Sequence, residues 1–150
     1  MRQYRGLTKE GKWVYGWYLE MPGKQKPQVE DQGNGMVSCQ LVDAEIVSCI
    51  AYKSKTHVAL DFCKVIRETV GQSTGLYDRN GKEDYFDDIL QTYYDDGKTE
   101  GDIGVLVWNN DAGTIDLKSK RGQFPLYVYA YHEVIGDIHT MPELLEQDNE

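Results

Sequence analysis

Glu68-Thr69-Val70-Gly71-Gln72-Ser73-Thr74-Gly75-Leu76-Tyr77-Asp78-Arg79-Asn80-Gly81-Lys82-Glu83-Asp84-Tyr85-Phe86-Asp87-Asp88-Ile89-Leu90 is the stretch whose reading decides the fold. Glycines at 71 and 75 mark tight turns, and an Asn80-Gly81 pair and a cluster of carboxylates follow them. Both central residues of a type I′ turn need positive φ, which Asn and Gly tolerate, so Asn80-Gly81 predicts a β-hairpin. Residues 89–94 then read as a further strand. A hairpin that runs straight into another strand points to an antiparallel sheet.

Downstream the pattern repeats. Residues 103–108 and 114–118 read as strands, set apart by the turns Asp95-Asp96-Gly97 and Asp111-Ala112-Gly113. Residues 124–131 alternate Leu126, Val128 and Ala130 against Tyr127, Tyr129 and Tyr131, the period of a half-buried strand. Residues 134–139 follow as another. Met141-Pro142-Glu143-Leu144-Leu145 begins a short helix, with Pro142 in the first turn, where a missing N–H costs least. Residues 147–150 read as a frayed end.

Upstream, residues 12–19 predict a strand with Trp13, Tyr15 and Trp17 on one face and Val14 and Tyr18 on the other. Residues 20–35 carry Pro22, Gly23, Pro27, Gly33 and Gly35 among polar neighbours and predict a long flexible loop. Residues 36–42 and 45–51 are two further strands joined around Asp43-Ala44. In residues 57–66, Val58, Leu60 and Phe62 alternate as in a strand, while Leu60, Cys63 and Ile66 also suit a helix. The strand is preferred. Many short strands between Gly, Asp and Asn turns predict a mainly β chain, a small antiparallel sheet or barrel with a short C-terminal helix.

At 150 residues the chain is of single-domain length and would bury roughly 70% of its unfolded surface. A hydrophobic fraction of 40% is low, and 11 Tyr, 3 Trp and 3 Phe compensate for it, since aromatic side chains bury large areas each. A net charge of −9 opposes direct binding to nucleic-acid phosphates and suits an acidic surface facing a basic partner. Cys39, Cys49 and Cys63 cannot all pair within the chain and form no Cys-x-x-Cys; two could still pair, and the preferred reading is free thiols in a reducing cytoplasm. No run reaches the ~18 apolar residues of a membrane span, and no apolar signal segment follows the first residues.

The chemical motifs are weak in context. Gly71-Gln72-Ser73-Thr74-Gly75 matches Gly-x-Ser-x-Gly, but a nucleophile elbow needs an apolar strand before it and a helix after it. Here Arg67-Glu68-Thr69 precedes Ser73 and the Asn80-Gly81 hairpin follows. Gly97-Lys98-Thr99 ends like a phosphate loop, yet Thr92 stands at the required glycine. His132-Glu133 with His139 lacks the spacing of a zinc helix. Asp78, Glu83, Asp84, Asp87 and Asp88 are of the type that gathers Mg²⁺ or Ca²⁺, but Glu83 occupies the glycine position of an EF-hand loop. The two aromatic rows, Trp13/Tyr15/Trp17 and Tyr127/Tyr129/Tyr131, resemble stacking platforms for single strands. Without a basic groove, they read instead as packing or partner-binding faces.

Residues 68–90 resemble the signature of the YopX family of phage and prophage proteins. The match runs through Glu68, Thr69, Val70, Gly71, Gln72, Thr74, Gly75, Leu76, Asp78, Asn80, Gly81, Lys82, Glu83, Tyr85, Asp88 and Ile89. Val134-Ile135-Gly136-Asp137-Ile138 and Pro142-Glu143-Leu144-Leu145 resemble its closing Ile-Gly-Asn-Ile and Pro-Glu-Leu-Leu. Trp13-Val14-Tyr15-Gly16 fits more loosely. Ser73 stands where the pattern has an aromatic, Asp84 where it has an apolar residue, and Asp87 where it has glycine before Asp88. Glu100-Gly101-Asp102-Ile103 copies the pattern's closing residues further on, by insertion or by accident.

The resemblance implies a small SH3-like β-barrel domain from a bacteriophage or prophage. It supplies no established activity and no catalytic residues. Gly71, Gln72, Thr74, Gly75, Leu76, Asn80, Gly81, Asp88, Gly136 and Pro142 are therefore expected to be structural. The leading expectation is a non-enzymatic accessory protein that binds another protein in the bacterial cytoplasm, without cofactor or metal, and that self-associates. One alternative is an acidic inhibitor of a host nucleic-acid-binding protein. The other is a metal-dependent or serine hydrolase using residues 71–88.

Overall fold

The computed structural model describes residues 3–22, 26–31, 37–42, 46–53 and 60–146, the side chains of 21–47 and 53–61 excepted. The strands are β1 (Tyr4–Leu7), β2 (Trp13–Pro22), β3 (Lys26–Asp31), β4 (Val37–Val42), β5 (Ile46–Lys53), β6 (Leu60–Lys64), β7 (Gly71–Tyr77), β8 (Glu83–Tyr85), β9 (Asp88–Tyr93), β10 (Glu100–Asn109), β11 (Thr114–Ser119), β12 (Gly122–Pro125) and β13 (Tyr131–Asp137). Helical geometry among the described residues is confined to three 3-10 turns, Arg67–Thr69, Leu126–Val128 and Pro142–Leu145. The chain is mainly β and antiparallel. It divides into two compact units, Met1–Arg5 with Gly71–Glu150, and Gly6–Val70.

In the first unit, β12-β11-β10-β9-β13 form a five-stranded antiparallel sheet. Directly paired residues share a face, so the register Leu106↔Leu117, Gly104↔Leu90 and Val134↔Leu90 builds one apolar layer. Leu90, Leu106 and Leu117 are buried there under Leu126 and Tyr129, with Ile115 and Val134 packed against them. Gly104 has no room for a side chain, because a Cβ would sit 2.6 Å from the Lys118 carbonyl. β9 is buried over five consecutive residues, Asp88 to Thr92, as a strand covered on both faces must be. The first residues of β1 pair with β7 at Tyr4↔Gln72 and Arg5↔Gly71, and β7 pairs with β8.

In the second unit, β2 pairs with β5 and β5 with β6, while β3 and β4 form a hairpin. The register Trp17↔Ala51↔Phe62 and Leu19↔Cys49↔Lys64 defines one face. Tyr18↔Ile50↔Cys63 defines the other.

Most predicted strands are present, and the differences have physical reasons. β2 extends to Pro22 and β3 occupies Lys26–Asp31, so strand replaces much of the loop expected at 20–35. Gly23, Gly33, Gly35, Met36, the Asp43-Ala44 turn, His57-Val58 and the frayed end 147–150 lie outside the described residues. The expected strand 124–131 is interrupted. Pro125 ends β12, and Leu126–Val128 turns as a 3-10 segment that drives Leu126 inward.

The Asn80-Gly81 hairpin forms, but only Gly81 has positive φ (81°) there. The N–H of Asp78 bonds to the Lys82 carbonyl and that of Gly81 to the Asp78 carbonyl. That is the pattern of a type I turn with a glycine bulge rather than type I′. The C-terminal helix is the single 3-10 turn Pro142–Leu145. The sheets are open, with no closed barrel among the described residues.

Candidate functional site

The apolar layer of the five-stranded sheet is left open at one end. Register places Trp108 opposite Ile115 and His132 opposite Thr92, on the same face as Leu90 and Leu106. The tight turn Asn109 to Thr114, closed by the Gly113 N–H on the Asn109 carbonyl, holds Trp108 and Ile115 side by side. Leu76 arrives from β7 and Tyr127 from the 3-10 turn. Together Leu76, Trp108, Ile115, Leu126, Tyr127 and His132 line a groove of about 490 Å³, within the size range of ligand sites.

His132 is fixed from below. Its Nε2 lies 2.7 Å from Asp84 Oδ2, and the Asp84 side chain is fully buried. Asp84 Oδ1 has no hydrogen-bond partner. A buried carboxylate accepts, so Nε2–H donates to it and the ring's remaining polar atom is Nδ1. Among the described residues, Nδ1 has no hydrogen-bond partner. Asp78 stabilises the hairpin beneath this pair. Its Oδ1 accepts the N–H groups of Asn80 and Lys82, and its Oδ2 accepts that of Val134. Burial pushes the Asp78 carboxyl up, but those three N–H bonds and the neighbouring His132 outweigh it and hold the group below its ordinary value.

The signature residues build the scaffold around this groove. Asp88 is buried against Arg5, Oδ1 to Nη2 at 2.6 Å, and its Oδ2 accepts the Tyr85 N–H. Burial raises the Asp88 carboxyl above its ordinary value despite the opposing Arg5 charge. The Arg5 guanidinium also stacks over the Tyr85 ring at 4.9 Å. Gly71 is required because a Cβ would lie 2.8 Å from the Phe86 carbonyl, whereas a Cβ at Gly136 would lie 2.7 Å from the Leu144 side-chain methyl, which would have to shift. Pro142 opens the turn that carries Leu144. The Gln72 carbonyl accepts the Phe86 N–H. The Thr74 hydroxyl donates to the Asp84 carbonyl. Gly75 bends β7 at φ +79.

Asp87, which stands where the signature has glycine, is the one non-glycine at positive φ (72°) among the described residues. It also faces His139 Nε2 at 3.3 Å.

The carboxylates of 78–88 do not converge. Among the described residues no three His, Cys, Asp or Glu side chains are gathered to hold a metal ion. Ser73 is buried within β7, donates to Glu83 Oε1 at 2.5 Å and accepts the Gly75 N–H. Ser73 and His132 are thus bonded to different carboxylates and do not form a nucleophile–base pair. Asp102 of Gly101-Asp102-Ile103 pairs with Arg121 and accepts the Tyr129 hydroxyl, so it has a separate role from Asp88.

The two aromatic rows part company. In the second unit Tyr15 and Trp17 are exposed, Trp13 is half-buried, and Leu19 and Phe62 extend the exposed face. In the first unit Tyr127 and Tyr131 are exposed, but Tyr129 is only 8% exposed and belongs to the core. The three tyrosines therefore share no face. The Asp84–His132 pair was not visible to motif reading, since 48 positions separate its members. Its signal was Asp84 itself, a carboxylate at an apolar position of the signature, which requires a partner when buried.

The family described as YopX protein matches residues 3–146 of the chain. Among solved structures, the crystal structure of protein yopX from Bacillus subtilis is 19% identical, covers 95% of this chain and 97% of its own, and aligns with a TM-score of 0.49. No curated protein matches the chain.

Proposed function

From the chain's membership of the YopX family, we propose that it is a non-enzymatic accessory protein of a phage or prophage that acts as a protein-binding module. The observation that carries this reading is the exposed face of β2, β5 and β6. Tyr15, Trp17, Leu19 and Phe62 are all at least 38% exposed over buried Cys49 and Ala51. Aromatic residues in contiguous exposed groups are the composition of interface cores. No helix among the described residues is long and apolar enough to cross a membrane. The bacterial cytoplasm is the proposed site of action, self-association through strand edges and this face is part of the proposal, and an SH3-like arrangement is the finer fold proposed.

The test is affinity capture from bacterial lysate with wild type and Trp17→Asp. Capture of a partner by wild type, weakened by Trp17→Asp, supports the reading. No partner together with a turnover found in an activity screen would overturn it. The net charge of −9 favours a second form of the reading, an acidic inhibitor of a nucleic-acid-binding protein. That form expects capture to weaken with added DNA and with salt; salt-independent capture removes it.

A further inference from the structure

We propose that Gln3-Tyr4-Arg5 is an exchangeable strand, docked in a slot formed by β7, Tyr85 and Asp88, and that a second copy of the chain fills this slot with its own residues 3–5. The proposal rests on the self-association part of the reading above and gives it a route. It uses a different surface from the exposed face of β2, β5 and β6.

The slot is built for this segment. The Gln3 carbonyl accepts the Ser73 N–H at 2.8 Å, and Tyr4 and Arg5 continue the ladder opposite Gln72 and Gly71. The Tyr85 hydroxyl donates to Gln3 Oε1. Arg5 reaches Asp88 at 2.6 Å, with their side chains only 5% and 1% exposed, and its guanidinium covers the Tyr85 ring. A backbone ladder accepts almost any sequence. A buried carboxylate at its end accepts only a segment that brings a cation. The slot therefore selects an extended strand with arginine at its inner end, and residues 3–5 are the occupant that fits it.

Chain order makes the occupant exchangeable. Residues 3–5 belong to the first unit, yet the rest of that unit starts at Gly71, after the whole of the second unit, Gly6–Val70. During synthesis the segment is made well before β7, Tyr85 and Asp88, so it waits for its slot. An empty slot leaves the Asp88 carboxylate without its cation, which drives refilling. A second copy brings the same Arg5 to the same contacts. Exchange keeps the contacts of the docked strand, which is why swapped dimers cost little. Docking within one chain wins when dilute, and exchange gains with concentration.

The test is disulfide trapping between two full-length chains at the Tyr4↔Gln72 pair. Tyr4→Cys and Gln72→Cys are mixed, co-refolded from urea, and oxidised with glutathione at micromolar and near-millimolar concentration. Each chain carries half of the pair, so a bridge between positions 4 and 72 reports an exchanged strand. Mass spectrometry should find that bridge, rising with concentration, about 10-fold above a bridge to Lys118→Cys, an exposed position on β11. Arg5→Met in the Tyr4→Cys chain should lower the yield about 10-fold, and Arg5→Lys, which keeps the cation, should restore part of it. Folding of the slot is read separately from the double variant Tyr4→Cys/Gln72→Cys, which should close within one chain when dilute.

A double variant that closes within one chain at every concentration, with no bridge between mixed chains, would overturn the proposal. So would bridging to position 118 as frequent as to 72, which is collision. A bridge lost with Trp17→Asp would overturn it too, by placing self-association on the aromatic face. A bridge that forms while lysate capture fails would support exchange and count against the protein-binding reading alone.

Discussion

Two rows of aromatic residues with the same spacing meet opposite fates in this molecule. Trp13, Tyr15 and Trp17 sit on an uninterrupted strand, β2, and their period of two survives as a face. Tyr127, Tyr129 and Tyr131 have the same period, yet the backbone turns at Leu126–Val128 and resets the phase between them. Tyr129 then packs at 6.1 Å from the ring of Tyr94 and bonds its hydroxyl to Asp102, while Tyr127 is left 79% exposed. Alternation predicts a shared face only where the backbone stays extended. A proline at a strand end, here Pro125, is what breaks it.

The sharpest way to break the comparison is to truncate the middle member of each row. Tyr129→Ala removes a buried aromatic from the core and should cost about 3–5 kcal/mol, read as a drop in urea midpoint at constant slope. Tyr129→Phe keeps the ring and should lose about 1–2 kcal/mol, since only the hydrogen bond to Asp102 goes. Tyr15→Ala, on the exposed face, should fall far short of either. If Tyr15→Ala costs as much as Tyr129→Ala, the distinction between the rows is wrong.

The same contrast has a pH signature. Burial, reinforced by the hydrogen bond to Asp102 and the negative charge there, pushes the Tyr129 hydroxyl up to about 12 from its ordinary 10. A group whose folded value is raised contributes stability that is fully present below pH 10 and is lost as pH climbs through 12. Denaturation midpoints of wild type should therefore fall between pH 10 and 12 more steeply than those of Tyr129→Phe. Parallel curves for the two proteins would place Tyr129 in water.

How much of this was legible follows the same physics. Uninterrupted strands such as β2, β9 and β11 announce themselves, because period-two alternation and flanking Gly, Asp or Asn turns are local properties. The hairpin at Asn80-Gly81 was equally local. Its turn type was not, because the Asp78 side chain, by accepting the Asn80 and Lys82 N–H groups, selects a turn in which Asn80 has no positive φ. The groove was out of reach. Leu76, Trp108, Ile115, Tyr127 and His132 come from five separate elements, and only the tertiary fold brings them together. The buried Arg5–Asp88 pair was likewise hidden, since nothing near Arg5 marks it as a core residue.

Backbone phase can also be tested without touching an aromatic ring. Asp87 lies between β8 and β9 as the Leu126–Val128 turn lies between β12 and β13, and it holds φ at 72°. Asp enters this region more readily than most residues but at some cost, whereas glycine enters freely. Asp87→Gly should stabilise the fold by about 0.5–1 kcal/mol, less whatever the contact with His139 contributes. Thermal denaturation is sensitive enough to read it, at several degrees per kcal/mol. A loss instead of a gain would mean that the Asp87–His139 contact outweighs the backbone strain.

The smallest expected effect is the most discriminating one. Tyr127 lies beside Tyr129 in sequence terms, two positions away, yet its ring projects into solvent at the rim of the groove. Tyr127→Ala should change stability by no more than about 0.5 kcal/mol, the range of surface substitutions away from buried features. A stability loss near that of Tyr129→Ala would mean that the 3-10 turn packs both tyrosines, and the two rows would differ only in burial, not in phase. Unchanged stability would instead fix the difference where the fold places it. One row keeps its phase and presents a face; the other loses its phase and divides its members between core and solvent.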